Sequence, residues 1–288
     1  MRLHSVLLLL FLFSSRLSAV TFETEDSLRV EELLRQGACL PSDSNIVLFY
    51  AHSFEGCPYV PATLEVNDSE QLVVNLRQMD CTTFVETVVA LSLTTMHQSR
   101  SWTDFLYWLR TIRYRDGIID GYASRNHYFS QWIDNAQRHG LAQEQPDDSL
   151  DPKFPFTQCR QLDLYYMTSH PSAYRQLRND SAMRQLIRDV EISSSGKTIH
   201  YIPASHLGLR QSEMEYVRNG DVLAIVSKKN GLDIAHVGFA EWGRDGKLHL
   251  LNASLLHKRV ILEPKTLHQY ISTQPNQLGI RVVRLIQQ

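Results

Sequence analysis

The stretch Asp80 to Thr95, DCTTFVETVVALSLTT, carries apolar side chains at Phe84, Val88 and Leu91 on one face and at Val85, Val89 and Leu93 on another, with no glycine or proline. A helix that is apolar on more than one side has to be covered on most of its surface, so the rest of the chain must wrap around it. The β-branched content also suits a strand, but the run is longer than a typical strand of about 5–6 residues. Asp80 and the threonines after it favour a helix N-terminus, which puts Cys81 at or just before the first turn.

The chain of 288 residues, 43% of them hydrophobic, is long enough to bury such a helix in one large domain or in one domain with an insertion. Its formal net charge is -2 with Lys and Arg scattered along it, so no footprint for a nucleic-acid partner is present. At the start, Arg2 and His4 precede an apolar run from Val6 to Phe13 and small residues ending at Ala19. That layout predicts a signal peptide over 1–19, with an uncleaved anchor as the alternative, and an exported mature chain over 20–288. The run is shorter than the roughly 20 apolar residues that span a bilayer, and no later segment approaches that length, so no stable membrane insertion is expected once the leader is removed. The first cysteine is Cys39, which gives no support to a lipid-anchored start. The 4 cysteines, Cys39, Cys57, Cys81 and Cys159, are too few for a disulfide-built scaffold. With Cys81 kept as a thiol, at most one bridge forms among the others, in a pairing the sequence leaves open.

Ser27 to Arg35 reads as a short amphipathic helix, and Ile46 to Val66 as irregular structure broken by Gly56 and Pro58. Ser101 with Asp104 starts a helix through Ile112, and another is expected around Phe129 to His139. Pro146 to Pro155 is linker-like, and Leu162 to Arg188 returns to helical periodicity interrupted near Pro171, so the middle of the chain is expected to be mostly helical. From Asn219 the pattern changes to short β-rich runs at 221–227, 234–242, 247–253 and 280–286, separated by Asn219-Gly220, Asn230-Gly231 and Asp245-Gly246. A buried helix early and a meander of strands late predict an α+β domain whose antiparallel sheet packs on that helix.

A cysteine at a helix N-terminus feels the positive end of the helix dipole, which favours thiolate, although a buried structural cysteine would look the same in sequence. Its candidate partner is His236, a polar residue inside the apolar run DIAHVGFAEW, where an unpaired imidazole would be costly to bury. A solvent-facing strand histidine is the plainer alternative. Gly238 leaves the same strand face open for close approach. A hairpin turning at Asp245-Gly246 would bring Asn252 level with His236, where an amide oxygen could fix the imidazole's tautomer. Cys81, His236 and Asn252 then read as nucleophile, base and orienting residue, with the Cys81 backbone N–H available to an oxyanion.

These residues resemble a known family. GCPYVPATLE at 56–65, DCTTFVE at 80–86, GDVLAIV at 220–226 and HVGFAEW at 236–242 are similar, in order, to the landmarks of papain-like NlpC-type cell-wall hydrolases. Thr-Phe-Val-Glu after the cysteine, RNHYFSQW at 125–132 and a closing Ala-Ser resemble the N-acetylmuramoyl-L-alanine amidase-like family within that superfamily. The resemblance implies a papain-like fold with a helical insertion at about 97–216. It implies cleavage of the amide between N-acetylmuramic acid and L-alanine, with peptidoglycan or muropeptides as substrate and a periplasmic location. Tyr59 would line the cysteine's pocket. In that family a His commonly stands where Asn252 stands here, and Asn serves the same orienting role in papain-like enzymes.

Arg125, His127 and Tyr128 offer a cation, an imidazole and a hydroxyl suited to a sugar or a lactyl carboxyl, or else form a polar helix entry with a packed tyrosine. Ser254 either binds substrate or ends a strand, and Asp233 and Glu86 read as supporting or surface groups. The 12 histidines show no His-Glu-x-x-His spacing and the cysteines no Cys-x-x-Cys, so neither a metal nor any other cofactor is expected. Three rival functions use the same residues: a stem-peptide endopeptidase, a catalytically silent wall-binding module, and a thiol acyltransferase.

Overall fold

The computed structural model describes residues 20–146 and 154–286. The leader at 1–19 and most of the linker-like stretch lie outside them. In chain order the elements are β1 (Val20–Thr21), α1 (Thr24–Gly37), α2 (Ile46–His52), β2 (Leu72–Val73), α3 (Cys81–Met96), α4 (Trp102–Arg113), α5 (Phe129–Arg138), β3 (Ala142–Gln145), β4 (Gln158–Gln161), α6 (Tyr166–Ser169), α7 (Ser181–Ser194), β5 (Thr198–Pro203), β6 (Val222–Ser227), β7 (Ile234–Trp242), β8 (Leu248–Ser254), β9 (Arg259–Leu262), α8 (Leu267–Ser272) and β10 (Gln277–Leu285). Strands β3 to β10 form an antiparallel sheet of 8 strands in the order β4-β5-β10-β6-β7-β8-β9, with β3 paired to β10. The expected α+β architecture is present.

Helix α3 sits at the centre, with every residue from Thr83 to Thr94 buried. Phe84 meets Phe54 and Phe239 edge to face, at 6.4 and 5.5 Å between ring centroids, and this joins α3 to the middle of the sheet. Truncating such a buried aromatic costs about 3–5 kcal/mol. Two of its buried hydroxyls are satisfied within the helix: Ser92 and Thr94 donate to the carbonyls of Val88 and Ala90. Glu86 is buried too, rather than at the surface, and accepts from Arg113 Nε at 2.6 Å while Arg113 Nη1 donates to Val73 O at 2.6 Å.

The sheet is covered on both faces, which explains why its central strands read as nearly continuous apolar runs. Val222, Ala224, Val226, Val237, Phe239, Leu251 and Ala253 face the α3 core, and Leu223, Ile225, Ala240, Trp242, Leu248 and Leu250 pack with Leu267 and Ile271 of α8 on the other side.

Three expectations need correction. The segment 46–66 is not irregular at its start: α2 forms because Asn45 Oδ1 accepts from Leu48 N–H at 3.0 Å and because Val47, Tyr50 and Ala51 are buried. The middle of the chain is less helical than its periodicity suggests, since β3 and β5 both pair with β10 and β4 pairs with β5. The helical segment expected at 162–188 reduces to the short α6, and the long helix begins only at Ser181, where Asp180 caps it through Met183 N–H. Helices α4 and α5 contribute Phe105, Leu109, Ile112, Trp132 and Ile133 to the α3 core, so they are integral to the fold. A separate small core of Tyr122, Tyr128, Leu164, Met167, Leu177 and Ile187 gathers around α6 and α7. All four cysteines are free thiols.

Candidate active site

Asp80 builds the start of α3. Its Oδ1 accepts from Thr83 N–H at 2.8 Å and its own N–H donates to Thr83 Oγ1 at 2.9 Å, a reciprocal cap that makes Cys81 the first helical residue. The segment before it runs beside residues 58–60: Met79 N–H donates to Pro58 O and Val60 N–H to Met79 O, both at 3.0 Å. Tyr59 is thereby held next to Cys81, and its N–H donates to Lys258 O at 2.9 Å, tying it to the β8–β9 turn. Burial, followed by the neighbouring Cys81, pushes the Tyr59 phenol up to about 12.

His236 is aimed by a bulge. Ile225 pairs with His236 but Val226 pairs with Ile234, so Ala235 is an extra residue in β7 immediately before the histidine. Extrapolating the β7–β8 register one step beyond its last pair, Phe239 with Leu251, sets Gly238 opposite Asn252. A Cβ at Gly238 would lie 2.7 Å from Leu251 O and 2.9 Å from Asn252 Cβ, so only glycine lets the strands approach and leaves the path from Asn252 to His236 clear. Across that gap His236 Nε2 and Asn252 Oδ1 are 2.9 Å apart.

The orientation of Asn252 follows from its surroundings. It is fully buried, and its Nδ2 donates to the carbonyls of Leu250 at 3.2 Å and Ile261 at 3.5 Å. Two carbonyls can accept only from the amide nitrogen, so Oδ1 must face the imidazole and Nε2 must carry the proton. Nδ1 is left with its lone pair, the basic position of the ring.

The Val237 backbone N–H is directed at Cys81 Sγ, which puts the thiol against the residue that follows His236. The electrostatics differ from the helix-dipole expectation. Burial pushes the Cys81 thiol up to about 12, the Asp80 carboxylate adds to this, and the N–H groups of Val237 and Thr82 with the Thr82 hydroxyl only partly oppose it. His236 is moved below its ordinary value by burial, against the Asn252 bond and the charges of Asp80 and Glu263. Both shifts favour the uncharged forms, a thiol at Cys81 and a neutral imidazole at His236.

The other sequence candidates are placed differently. Arg125 is an internal tie: Nε and Nη2 grip both oxygens of Glu70 at 2.9 and 2.7 Å, Nη1 donates to Glu65 at 2.7 Å, and the guanidinium lies 5.0 Å from the centre of the Tyr122 ring. His127 Nε2 is 2.7 Å from Tyr122 O, and burial pushes its pKa down to about 3. Tyr128 is buried, donates to Glu191 Oε1 at 2.7 Å and accepts from Met167 N–H at 3.0 Å. Ser254 is buried at the end of β8, where its Oγ accepts from His257 N–H at 3.2 Å. The packed-tyrosine and strand-end alternatives describe Tyr128 and Ser254. Asp233 is likewise internal and accepts from Ser130 N–H at 2.7 Å.

Two residues near His236 escaped the sequence reading. The Tyr270 ring on α8 is 6.4 Å from the His236 ring, and Glu263 follows β9 on the same side of the sheet. Neither belongs to a motif, and only the folding of α8 and β9 onto β8 brings them there. Among the described residues no group of three or more His, Cys, Asp and Glu side chains is arranged to hold a metal ion.

The fold and its family define a hydrolase. A family model described as AmiA-like, N-acetylmuramoyl-L-alanine amidase-like, matches residues 50–280, and the chain belongs to that family. The crystal structure of an N-acetylmuramoyl-L-alanine amidase from Bacteroides uniformis is similar with a TM-score of 0.77 and 36% identity, covering 87% of this chain and 99% of that one. A Bacteroides fragilis structure described as a "putative xylanase" has a TM-score of 0.74 and 37% identity, covering 82% of this chain and 98% of the other. Protein LPG0564 of Legionella pneumophila shares the fold at 20% identity and a TM-score of 0.66, over 91% of this chain and 95% of its own. No curated protein matches the chain.

Proposed function

We propose that this chain is a cysteine amidase of papain-like, NlpC-type architecture that hydrolyses the amide between N-acetylmuramic acid and L-alanine in peptidoglycan fragments, exported to the periplasm by its leader. The observation that carries the reading is the fixed tautomer of His236: with Nε2 held by Asn252 Oδ1 at 2.9 Å, Nδ1 is the base for Cys81. As that base takes the thiol proton, Sγ attacks the lactyl carbonyl and its oxygen becomes an oxyanion near the first amides of α3, which have no partner within the helix. Collapse breaks the C–N bond, His236 passes its proton to the departing L-alanine nitrogen, and water then hydrolyses the thioester by the same base. Tyr59 walls the thiol's pocket.

A glycosidase would place two carboxyl groups about 5–9.5 Å apart across an open cleft. Here Asp80 is engaged in capping α3 and Glu263 is buried, which favours the amide reading. The test is mass spectrometry of N-acetylmuramoyl-L-alanine, with and without further stem residues, after incubation with wild type and Cys81→Ala. Release of the alanine amine by wild type alone is the expected result. Scission within the stem peptide would replace the amidase by an endopeptidase, and no cleavage anywhere would leave a binding module.

A further inference from the structure

Burying a carboxylate is costly, and a carboxylate oxygen left without a partner is costlier still. Glu263 does both: its side chain is 1% exposed, Oε1 lies 3.4 Å from His257 Nε2, and Oε2 has no hydrogen-bond partner. The backbone holds it firmly, since Glu263 N–H donates to Leu250 O at 2.8 Å. That bond continues the β8–β9 register, in which Asn252 faces Ile261, and sets Glu263 opposite Leu250. Asn252 and Leu250 lie on the sheet face that also carries His236 and receives α8, so Glu263 is the diagonal neighbour of Asn252, one strand over and two residues along from the residue that orients the base.

We propose that Glu263 is a positioning residue for the Cys81–His236 reaction, a buried counter-charge that stabilises the imidazolium formed when His236 Nδ1 accepts the Cys81 proton. The proposal rests on the role of His236 argued above. In the resting site the pair is neutral, so the carboxylate gains its favourable partner only as the proton moves, and its attraction is greater in the transition state than before it. The ionisable groups that act on His236 are Asp80 from the start of α3 and Glu263 itself, with the Tyr270 ring of α8 6.4 Å away; His257 and Tyr270 face Glu263. Asp80 spends Oδ1 on the α3 cap through Thr83, and of the two carboxylates Glu263 is the one with a fully buried oxygen that lacks a partner. Its charge opposes the effect of burial on His236.

The measurement is the titration of the His236 ring by NMR in the full chain, which requires no turnover and stays readable if the substrate assignment fails. Glu263→Gln keeps the shape and removes the charge. It is expected to lower the His236 midpoint by roughly one unit, to move the acid limb of kcat/KM with it where turnover is measured, and to lower kcat more than it changes KM. An unmoved His236 midpoint in folded Glu263→Gln overturns the proposal. If that variant does not fold, His257→Gln decides, because it removes the one side chain that approaches Glu263 Oε1 from the partly exposed turn. A raised His236 midpoint supports the role, and an unchanged one overturns it.

Discussion

Two clusters of polar residues look alike in the sequence and differ in what the fold leaves them free to do. Around Arg125 to Tyr128 the polar groups are turned inward: Glu65 and Glu70 engage the guanidinium, Tyr122 O meets His127, and Glu191 and Met167 saturate the Tyr128 hydroxyl. At Cys81, His236 and Asn252 the same accounting leaves a remainder. Asn252 spends its amide on fixing the ring, the ring spends Nε2 on Asn252, and Nδ1 is left over. Residue type marks both clusters as reactive, and each engages its imidazole through Nε2; the first surrounds it with a saturated cation and phenol, and only the second contains a thiol.

The largest effect that would break this comparison concerns the first cluster. Arg125 is 10% exposed and Glu70 4%, so removing the cation strands two buried or half-buried carboxylates. Such a loss costs about 3–5 kcal/mol. Arg125→Ala is therefore expected to lower the denaturation midpoint sharply with an unchanged slope, while any protein that remains folded alkylates at Cys81 at the wild-type rate. A stable variant with impaired substrate affinity would instead make Arg125 a binding residue and erase the distinction.

Asn252→Ala sharpens the second half. A hydrogen bond to a group that becomes charged is worth about 1.5–3 kcal/mol, roughly 10-fold to 100-fold in kcat/KM. Loss of the amide frees the tautomer, so the expected deficit lies in kcat, with KM nearly constant. His at this position, as in the resembling family, should restore much of the rate by accepting from Nε2. Retention of full activity by Asn252→Ala would remove Asn252 from the mechanism.

The same contrast explains how much was legible beforehand. The α3 helix, the late strands and the approach of Asn252 to His236 were readable because each rests on local signals: a capped start at Asp80, turns at Gly231 and Gly246, and a glycine facing Asn252. Helix α2 was missed because IVLFYAH has strand-like composition, and its helix depends on the Asn45 cap and on burial against α3. Strands β3 and β5 were missed because their pairing partner, β10, lies at the far end of the chain, and β4 because it pairs only with β5, which follows beyond α6 and α7. The engagement of Arg125 by Glu65 and Glu70 and the arrival of Glu263 on the sheet face of His236 are long-range arrangements of the same kind, and no spacing within either segment announces them.

The smallest expected effect is a flat line, and it separates two forms of the same site. A thiolate–imidazolium pair at rest would lose activity on the basic side as the imidazolium deprotonates. Burial instead pushes the Cys81 thiol up to about 12 and moves His236 below its ordinary value, which under the proposed mechanism makes thiol with neutral imidazole the reactive form. The sign follows: kcat/KM falls as pH drops through the lowered His236 midpoint, because the base becomes protonated, and it holds from about pH 7 to about pH 9. A plateau across that range, followed with a muropeptide substrate in constant-ionic-strength buffers, fits proton transfer at the moment of attack. A descending limb within it would mean that the helix dipole and the Val237 and Thr82 amides outweigh burial in the working enzyme, and would turn the resting site into an ion pair.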